Sequence, residues 1–250
     1  MTIKNTLIGA TMLALAAAPT LLSAETLKVG STATGVPFTF LNVESNEVQG
    51  MMVDLINAVG EEAGFDPQVE AVDFSSLIPA LTSGRIDIIS AAMLITESRK
   101  KAISFSDPIL PYGEGWVVSD DFEGGISADF SELKGKVVGV QQGTVYLERL
   151  QKAGNFGELR VYDSLADILA EVQRGRIAAG MGDRPIISYQ LSQDRYDGIK
   201  LANYDSQYAG DIAIGVRKDD DELMQRINDA LAKLKKNGTI DDLAKKWGLL

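Results

Sequence analysis

The feature that most constrains the fold of this chain is the alternation of short β-rich runs with segments of helical periodicity. In the first part of the chain, the pattern predicts strands at residues 27–30, 69–72 and 86–90, with helices between them. A second series begins near residue 120, with strands predicted at residues 136–140, 159–162 and 177–181. Alternation of this kind predicts an α/β protein whose sheets are mainly parallel.

The two series contain a similar segment, in which a helix ends at a glycine and a strand follows. One copy spans residues 76–86 with its glycine at Gly84, and the other spans residues 164–177 with its glycine at Gly175. The similarity predicts two lobes built in the same way. The chain ends with a strand predicted at residues 212–216 and a helical hairpin that is broken at Asn237-Gly238.

The first residues have the pattern of an export signal. Lys4 supplies a short positive region, and residues 6–18 are apolar. Ala16-Ala17-Ala18 and Leu22-Ser23-Ala24 are both possible cleavage sites. We predict that residues 1–24 are a signal peptide cleaved after Ala24. The alternative is a membrane anchor, but the apolar run is shorter than the roughly 20 residues that span a bilayer. We therefore expect an exported, free periplasmic protein.

Composition excludes several classes of function. The chain of 250 residues has no cysteine and no histidine, which removes the Ser-His-Asp and Cys-His catalytic arrangements and the usual zinc ligand sets. We expect neither a metal nor a cofactor. The net formal charge of −11 argues against nucleic acid as a partner, because such binding needs a basic surface.

Three positions in the sequence follow predicted strands, where α/β proteins bind ligands. Two of them are the charged residues Arg99 and Asp183. Arg99 lies in the first turn of a short helix after the strand at residues 86–90, and its guanidinium can hold a carboxylate through two hydrogen bonds. Asp183 follows the strand at residues 177–181 and can hold an ammonium group. Each residue also has a simpler interpretation, which is a solvated charge for Arg99 and a helix cap for Asp183.

The third position is the turn Gln141-Gln142-Gly143-Thr144, which follows the strand at residues 136–140. Gly143 lets the backbone approach a ligand closely, and Thr144 and the free N–H groups of the turn can bind an anion. The alternative is that Thr144 only caps its own helix.

Phe74 can supply an apolar or cation–π wall, although a lone aromatic residue is more often part of the core.

Seven motifs, taken in order after a signal peptide, resemble the amino-acid-binding solute receptors of bacterial ABC importers. The resemblance extends from about Leu27 to Trp247. The motifs are GMMVDL (residues 50–55), DFSSLIPAL (73–81), GRID (84–87), ITESR (95–99), FSDP (105–108), QGT (142–144) and NGT…KW (237–247).

The resemblance implies a two-lobed periplasmic binding protein fold, in which each lobe is a mainly parallel sheet flanked by helices and two hinge strands join the lobes. Lobe 1 would comprise residues 25–112 and 210–250, and lobe 2 residues 113–209. Arg99 and Thr144 would bind the ligand α-carboxylate, Asp183 would bind its α-ammonium group, and Phe74 would pack on its side chain. The expected partners are this small molecule and a membrane permease, and the protein is expected to be a monomer.

The sequence also departs from the family at positions that would contact the ligand. Leu94 replaces a residue that commonly carries a hydroxyl, Ala92 stands where glycine or serine is frequent, and Gly35 replaces an aromatic residue. Loss of these polar and stacking contacts predicts a roomier and more apolar pocket. We therefore expect a larger or modified amino acid, or an amino-acid derivative.

Two other functions remain open on the sequence. Periplasmic cyclohexadienyl dehydratases resemble these receptors and need a well-placed carboxylic acid, for which Glu114 and Glu171 are candidates. A sensor that docks on a membrane receptor would require a separate partner, since no signalling segment is recognisable in the chain.

Overall fold

A computed structural model describes residues 24–193 and 195–250, so the predicted signal peptide lies outside the described residues except for Ala24. The strands in this part of the chain form three sheets. They are β1 (Glu25–Ser31), β2 (Thr34–Gly35), β3 (Thr39–Asn42), β4 (Glu47–Gln49), β5 (Phe65–Ala71), β6 (Ile88–Leu94), β7 (Ile103–Phe105), β8 (Leu110–Tyr112), β9 (Glu114–Ser119), β10 (Val137–Gln141), β11 (Glu158–Tyr162), β12 (Ala179–Asp183), β13 (Ile199–Leu201) and β14 (Gly210–Arg217).

Local sequence determines where several helices begin and end. Thr96, Ser164 and Asp220 each accept a backbone N–H at the start of a helix, while Gly64 and Gly154 end helices in the left-handed conformation. The helices are α1 (Met51–Ala63), α2 (Leu77–Thr82), α3 (Glu97–Lys100), α4 (Val145–Ala153), α5 (Leu165–Gln173), α6 (Arg184–Ser192), α7 (Asp221–Lys236) and α8 (Thr239–Lys246).

The first sheet has the strand order β5-β1-β6-β14-β7, with β8 paired to β14. Strands β5, β1 and β6 are parallel, whereas β14 runs antiparallel to β6, β7 and β8. Strand β6 is buried along its whole length because helices cover both faces of the sheet. Ile89 and Met93 pack with Leu77 and Leu81 of α2, while Ile88 joins the core beside α1. We call this sheet with α1, α2, α3, α7 and α8 the first lobe.

The second sheet has the order β11-β10-β12-β9-β13. Strands β11, β10 and β12 are parallel, and β9 is antiparallel to both of its neighbours. Helices α4, α5 and α6 pack on this sheet, and together they form the second lobe. The third sheet is a small antiparallel arrangement of β2, β3 and β4. The predicted α/β class with parallel-containing sheets is confirmed.

The two predicted helix–glycine–strand segments are both present, with later strand starts than the sequence pattern indicates. Gly84 and Gly175 have φ values of +76° and +66°, and the following strands begin only at Ile88 and Ala179. The residues directly after each glycine complete the turn, so both predicted strands move toward the carboxyl end. This shift places the strand ends closer to the residues predicted to bind a ligand.

The chain crosses from the first sheet to the second between β8 and β9, and returns between β13 and β14. Glu114, at the first crossing, has no exposed side-chain surface. Its carboxylate accepts hydrogen bonds from the hydroxyls of Tyr204 and Ser206 and from the backbone N–H groups of Gln207 and Tyr208, all at the second crossing. Arg149 of α4 donates at 3.0 Å. A single buried carboxylate therefore joins both crossings to the second lobe.

Burial alone would raise the pKa of Glu114. The hydrogen bonds from Ser206, Gln207 and Tyr204 outweigh this effect, so the pKa of Glu114 is lowered and the carboxylate stays ionised. The guanidinium of Arg149 also stacks on Tyr208, with 3.2 Å between its central carbon and the ring centroid.

Replacing Glu114 by glutamine should destabilise the protein, because the amide leaves Arg149 without its charge partner and turns an N–H group toward other donors. We expect urea denaturation at pH 7 to show a loss of about 2–4 kcal/mol in the free energy of unfolding. Because the pKa of Glu114 is lowered on folding, its stabilisation disappears as the pH falls below the ordinary value of 4.5, and the two proteins should then converge.

Glu158 provides the matched control, since it is exposed and paired with Arg160. Glu158→Gln should change the free energy of unfolding far less than Glu114→Gln. Equal losses from the two substitutions would contradict the role given to Glu114.

Candidate functional site

The carboxyl ends of β1, β6, β10 and β12 face the space between the two lobes. A small cavity of about 30 Å³ lies there, which is room for one or two water molecules. Four of the predicted site residues, Phe74, Ala92, Gln141 and Asp183, line it. The complete lining is Thr32, Thr34, Gly35, Phe38, Thr39, Phe74, Ala91, Ala92, Tyr112, Gln141, Leu165, Asp183 and Ile186.

The lobes meet closely beside this small cavity, and the roomier, more apolar pocket expected relative to the family stays a prediction. Gly143 of the second lobe approaches the first so tightly that a Cβ atom at this position would lie 2.7 Å from the Cα of Ser75. Gly143 has a φ of +75°, which also favours glycine. The two lobes are therefore in a closed arrangement around a small space.

Asp183 is the acidic residue of the cavity. It ends β12 and occupies the N-cap of α6, but its side chain makes no capping hydrogen bond. The hydroxyl of Tyr146 donates to its Oδ1 atom at 2.6 Å. The hydroxyl of Tyr112 lies near enough to affect the pKa of Asp183, but it has no hydrogen-bond partner of normal geometry. The carboxylate is thus held in place and keeps one oxygen for another donor.

Burial raises the pKa of Asp183 to about 6, against the opposing effects of the Tyr146 hydrogen bond and the positive charge of Arg99. Part of the residue keeps accessible surface, and this part faces the cavity. The ionised carboxylate is therefore under-compensated in this structure, and a cation in the cavity would favour it.

Arg99 faces inward rather than into solvent, with only 8% of its surface exposed. Its Nη1 atom donates to the carbonyl of Leu94 at 2.8 Å, and Nη2 donates across the lobe boundary to the carbonyl of Gly143 at 3.2 Å. The guanidinium also lies 5.5 Å from the ring centroid of Phe74. Burial lowers the pKa of Arg99, while Asp183 opposes that change. Arg99 is a buried cation that contacts both lobes.

Thr144 occupies the N-cap of α4, but its side chain does not cap the helix. Its hydroxyl donates instead to the carbonyl of Gln141 at 2.8 Å, which closes the turn through Gly143. The amide of Gln141 donates to the carbonyl of Asp163, which holds it at the cavity wall. The capping interpretation of Thr144 is therefore wrong, and the residue stabilises the turn at the lobe boundary.

Two of the three residues that depart from the family pattern, Ala92 and Leu94, have different surroundings. Ala92 lines the cavity and has a φ of +50° within β6, a conformation that is strained for any residue with a Cβ atom. This explains why a glycine would suit the position. Leu94 does not line the cavity. It packs in the core near Gly210, and its carbonyl binds Arg99.

The predicted site residues thus fall into two groups. Arg99, Gly143 and Thr144 line a separate hollow of about 230 Å³, whose full lining is Ile78, Ser98, Arg99, Ala102, Gly143, Thr144, Val145 and Glu148. Phe74, Ala92, Gln141 and Asp183 line the cavity. The groups adjoin, since Arg99 contacts Phe74 and its charge acts on Asp183.

Sequence reasoning missed Tyr146, Tyr112, Thr32 and Thr39. The hydroxyls of Thr32 and Thr39 lie 2.5 Å apart at the cavity wall. Thr32 directly follows β1, so the rule that ligands bind at the carboxyl ends of strands could have identified it. Tyr146 and Tyr112 have no comparable sequence signal, because their role depends on how the lobes are placed.

The two acids proposed for a dehydratase are unsuited to donate protons. The pKa of Glu114 is lowered by its hydrogen bonds, as described above. Glu171 binds Arg174 and Arg176 at the surface, and the hydrogen bond from Arg174 is the main reason that the pKa of Glu171 is also lowered.

Within residues 24–193 and 195–250, no group of histidine, cysteine and acidic residues has the arrangement of a metal site. Nor does any helix there have the length and apolarity needed to cross a bilayer.

Comparisons with known proteins agree with this architecture. Residues 27–249 match the sequence model of the bacterial extracellular solute-binding proteins, family 3. The chain is 32% identical to the arginine-binding extracellular protein ArtP of Bacillus subtilis (strain 168), over 88% of this chain and 85% of that protein.

Two solved structures are also similar. An ancestral arginine-binding protein bound to glutamine has a TM-score of 0.83 and 34% identity, with 90% of this chain and 98% of that chain covered. The ancestral amino acid-binding protein AncCDT-1, a precursor of cyclohexadienyl dehydratase, has a TM-score of 0.80 and 29% identity, with 89% and 95% covered.

Asp183→Asn should stabilise the ligand-free protein at neutral pH. Because the pKa of Asp183 is raised on folding from 3.8 to about 6, the carboxylate costs stability as the pH rises between these values. We expect the asparagine variant to gain about 1–3 kcal/mol in the free energy of unfolding at pH 7.5. The gain should be absent below pH 3.8, where both side chains are neutral.

Asp219→Asn is the control, since Asp219 is exposed in the turn before α7. As an exposed surface substitution, it should change the free energy of unfolding by no more than about 0.5 kcal/mol. A loss of stability for Asp183→Asn at pH 7.5 would mean that the ionised carboxylate is already compensated by its neighbours.

Proposed function

Because the chain belongs to the bacterial extracellular solute-binding proteins of family 3, we propose that it is the exported substrate-binding protein of an ABC importer. It captures an amino acid or amino-acid derivative between its lobes in the periplasm and delivers it to a membrane permease. The observation that carries this proposal is the pair of opposite charges at the lobe boundary, the buried Arg99 on the first lobe and the partly buried Asp183 on the second. A zwitterion can neutralise both at once.

Each charged group of the ligand has a proposed partner. Arg99 and the turn at Thr144 bind the α-carboxylate, and Asp183 binds the α-ammonium group. Arg99 donates to the neutral carbonyl of Gly143 in this structure. A ligand carboxylate in its place would form stronger, charge-assisted hydrogen bonds. Phe74 packs on the ligand side chain.

The lobes are proposed to comprise residues 25–112 with 210–250, and residues 113–209. Ligand enters when they separate and is enclosed when they meet, with motion at the two crossings joined by Glu114. The close approach of Gly143 to Ser75 supports a closed state in which backbone meets backbone. We propose that the protein acts as a monomer.

We propose that the protein has no enzymatic activity. The lowered pKa values of Glu114 and Glu171 support this. Asp183, with a pKa of about 6, is the carboxyl group that a dehydratase on this scaffold would need. Incubation with prephenate or arogenate at pH 6 and pH 7.5 should give no product by liquid chromatography. If the parent protein forms product and Asp183→Asn forms none, the protein is an enzyme instead.

Native mass spectrometry of the purified protein, followed by a thermal-shift screen of amino acids and derivatives, should identify a bound ligand.

Arg99→Ala should weaken the binding of this ligand by about 3–5 kcal/mol, which is more than about 100-fold in the dissociation constant by calorimetry. Lys100→Ala is the control, because Lys100 is exposed and pairs with Glu97. If Arg99→Ala folds and binds as tightly as the parent, Arg99 does not hold the carboxylate.

Gly143→Ala tests closure. Its new methyl group would collide with the backbone of Ser75 only when the lobes meet. Gly175→Ala is the matched control, since its φ is similarly positive but a Cβ atom there has no neighbour within 4 Å. Both substitutions should cost stability, by about 1 kcal/mol. Only Gly143→Ala should also weaken ligand binding, by about 10-fold or more, and equal affinities would reject the closed state described.

A further inference from the structure

We infer that the site selects a ligand with an uncharged side chain and discriminates against the basic side chain of arginine. The inference rests on the proposed capture of a zwitterion. It concerns the walls of the cavity that would face the side chain of a ligand whose α-carboxylate and α-ammonium groups are paired with Arg99 and Asp183.

The first argument is the charge of the cavity. Asp183 is the one carboxylate among its lining residues in the described part of the chain, and the lining has no lysine or arginine. Arg99 adjoins it. One negative and one positive group are matched by the two backbone charges of an amino acid, so no charge remains for a side chain. A guanidinium or ammonium group enclosed without a counter-charge is strongly disfavoured.

The second argument is that nearby acids are committed elsewhere or lie outside. Glu148 lines the hollow on the other side of Arg99, and its charge acts on that guanidinium. Asp163 meets Gln141 through its backbone carbonyl and is exposed. Glu114 accepts its hydrogen bonds from Arg149 and the second crossing. None of these three lines the cavity.

The third argument is the chemistry that the lining does offer. The remaining walls are aromatic and aliphatic side chains together with hydroxyls and one amide. The hydroxyls of Thr32 and Thr39 already bond to each other, and the amide of Gln141 bonds to a carbonyl. Such a surface suits an apolar, hydroxyl or amide side chain. The larger apolar side chains of the wall are Phe38, Phe74, Leu165 and Ile186.

This specificity differs from that in the name of the arginine-binding relative from Bacillus subtilis. An overall identity of 32% does not transfer the choice of side chain, because a few lining residues determine that choice. The similar ancestral protein whose structure holds glutamine indicates that an arginine-binding scaffold accepts a neutral ligand.

Calorimetry with glutamine, threonine, leucine, arginine and glutamate tests the inference on the mature protein after its bound ligand has been removed by unfolding and refolding. At least one neutral amino acid should bind about 100-fold more tightly than arginine and glutamate. Arginine binding as tightly as the best neutral ligand would overturn the inference while leaving the proposed function intact. Binding of none of the five, with no amino acid or derivative found by native mass spectrometry, would overturn the proposed function itself.

A gain-of-function variant tests the physical reason. Thr34 lines the cavity and is exposed, so Thr34→Asp adds a carboxylate at the rim at little risk to folding. The ratio of arginine to glutamine affinity should rise by about 10-fold or more. Thr26→Asp, at an exposed position at the start of β1, should leave the ratio unchanged, because Thr26 does not line the cavity. An unchanged ratio in Thr34→Asp would show that the missing carboxylate is not the cause of discrimination.

Discussion

Glu114 is the group on which the relative placement of the two lobes depends, because both chain crossings bind to one carboxylate that water cannot reach. The first crossing supplies the carboxylate, and the second supplies two hydroxyls and two backbone N–H groups. Enclosing a charge in this way is favourable only when donors surround it, and here the donors lower its pKa despite burial. The crossings are thus held at a fixed spacing, and lobe motion must occur around it.

At the site between the lobes, by contrast, a carboxylate has too few hydrogen-bond donors and positive charges around it. Asp183 lacks sufficient compensation, so its pKa rises to about 6, and the nearby hydroxyl of Tyr112 has no hydrogen-bond partner of normal geometry. Strain at Ala92 adds to this cost. Unfavourable groups clustered around a small space are typical of binding sites, where a ligand supplies the missing interactions. In the proposed function, stability and binding therefore make opposing demands on Asp183.

Much of this arrangement follows from local sequence rules. Arg99, Thr144 and Asp183 each follow a buried strand, and the rule that ligands meet the carboxyl ends of strands places all three at the lobe boundary. Thr96 accepts a hydrogen bond from the backbone N–H of Arg99 at the start of α3, and a threonine N-cap of this kind is recognisable from the sequence. Rules of this kind succeed because they depend on a few neighbouring residues.

What the sequence did not predict depends on contacts between distant segments. Leu94 looked like a cavity residue from its place in a motif, but the side chain packs in the core and only its carbonyl serves the site. The size of the cavity follows from the approach of Gly143 to Ser75, 68 residues away in the chain. Tyr146 and Glu114 acquire their roles only when the second lobe is assembled.

Helix α4 has a further consequence for the rate at which ligand leaves. Thr144 begins the helix at the lobe boundary, Tyr146 holds Asp183, and Arg149, one turn later on the same face, holds Glu114. A nine-residue helix therefore links the lobe boundary, Asp183 and the crossings. In the proposed function, a sequence change within α4 is expected to alter residence time and opening rate together, whereas changes in the cavity walls can alter affinity alone.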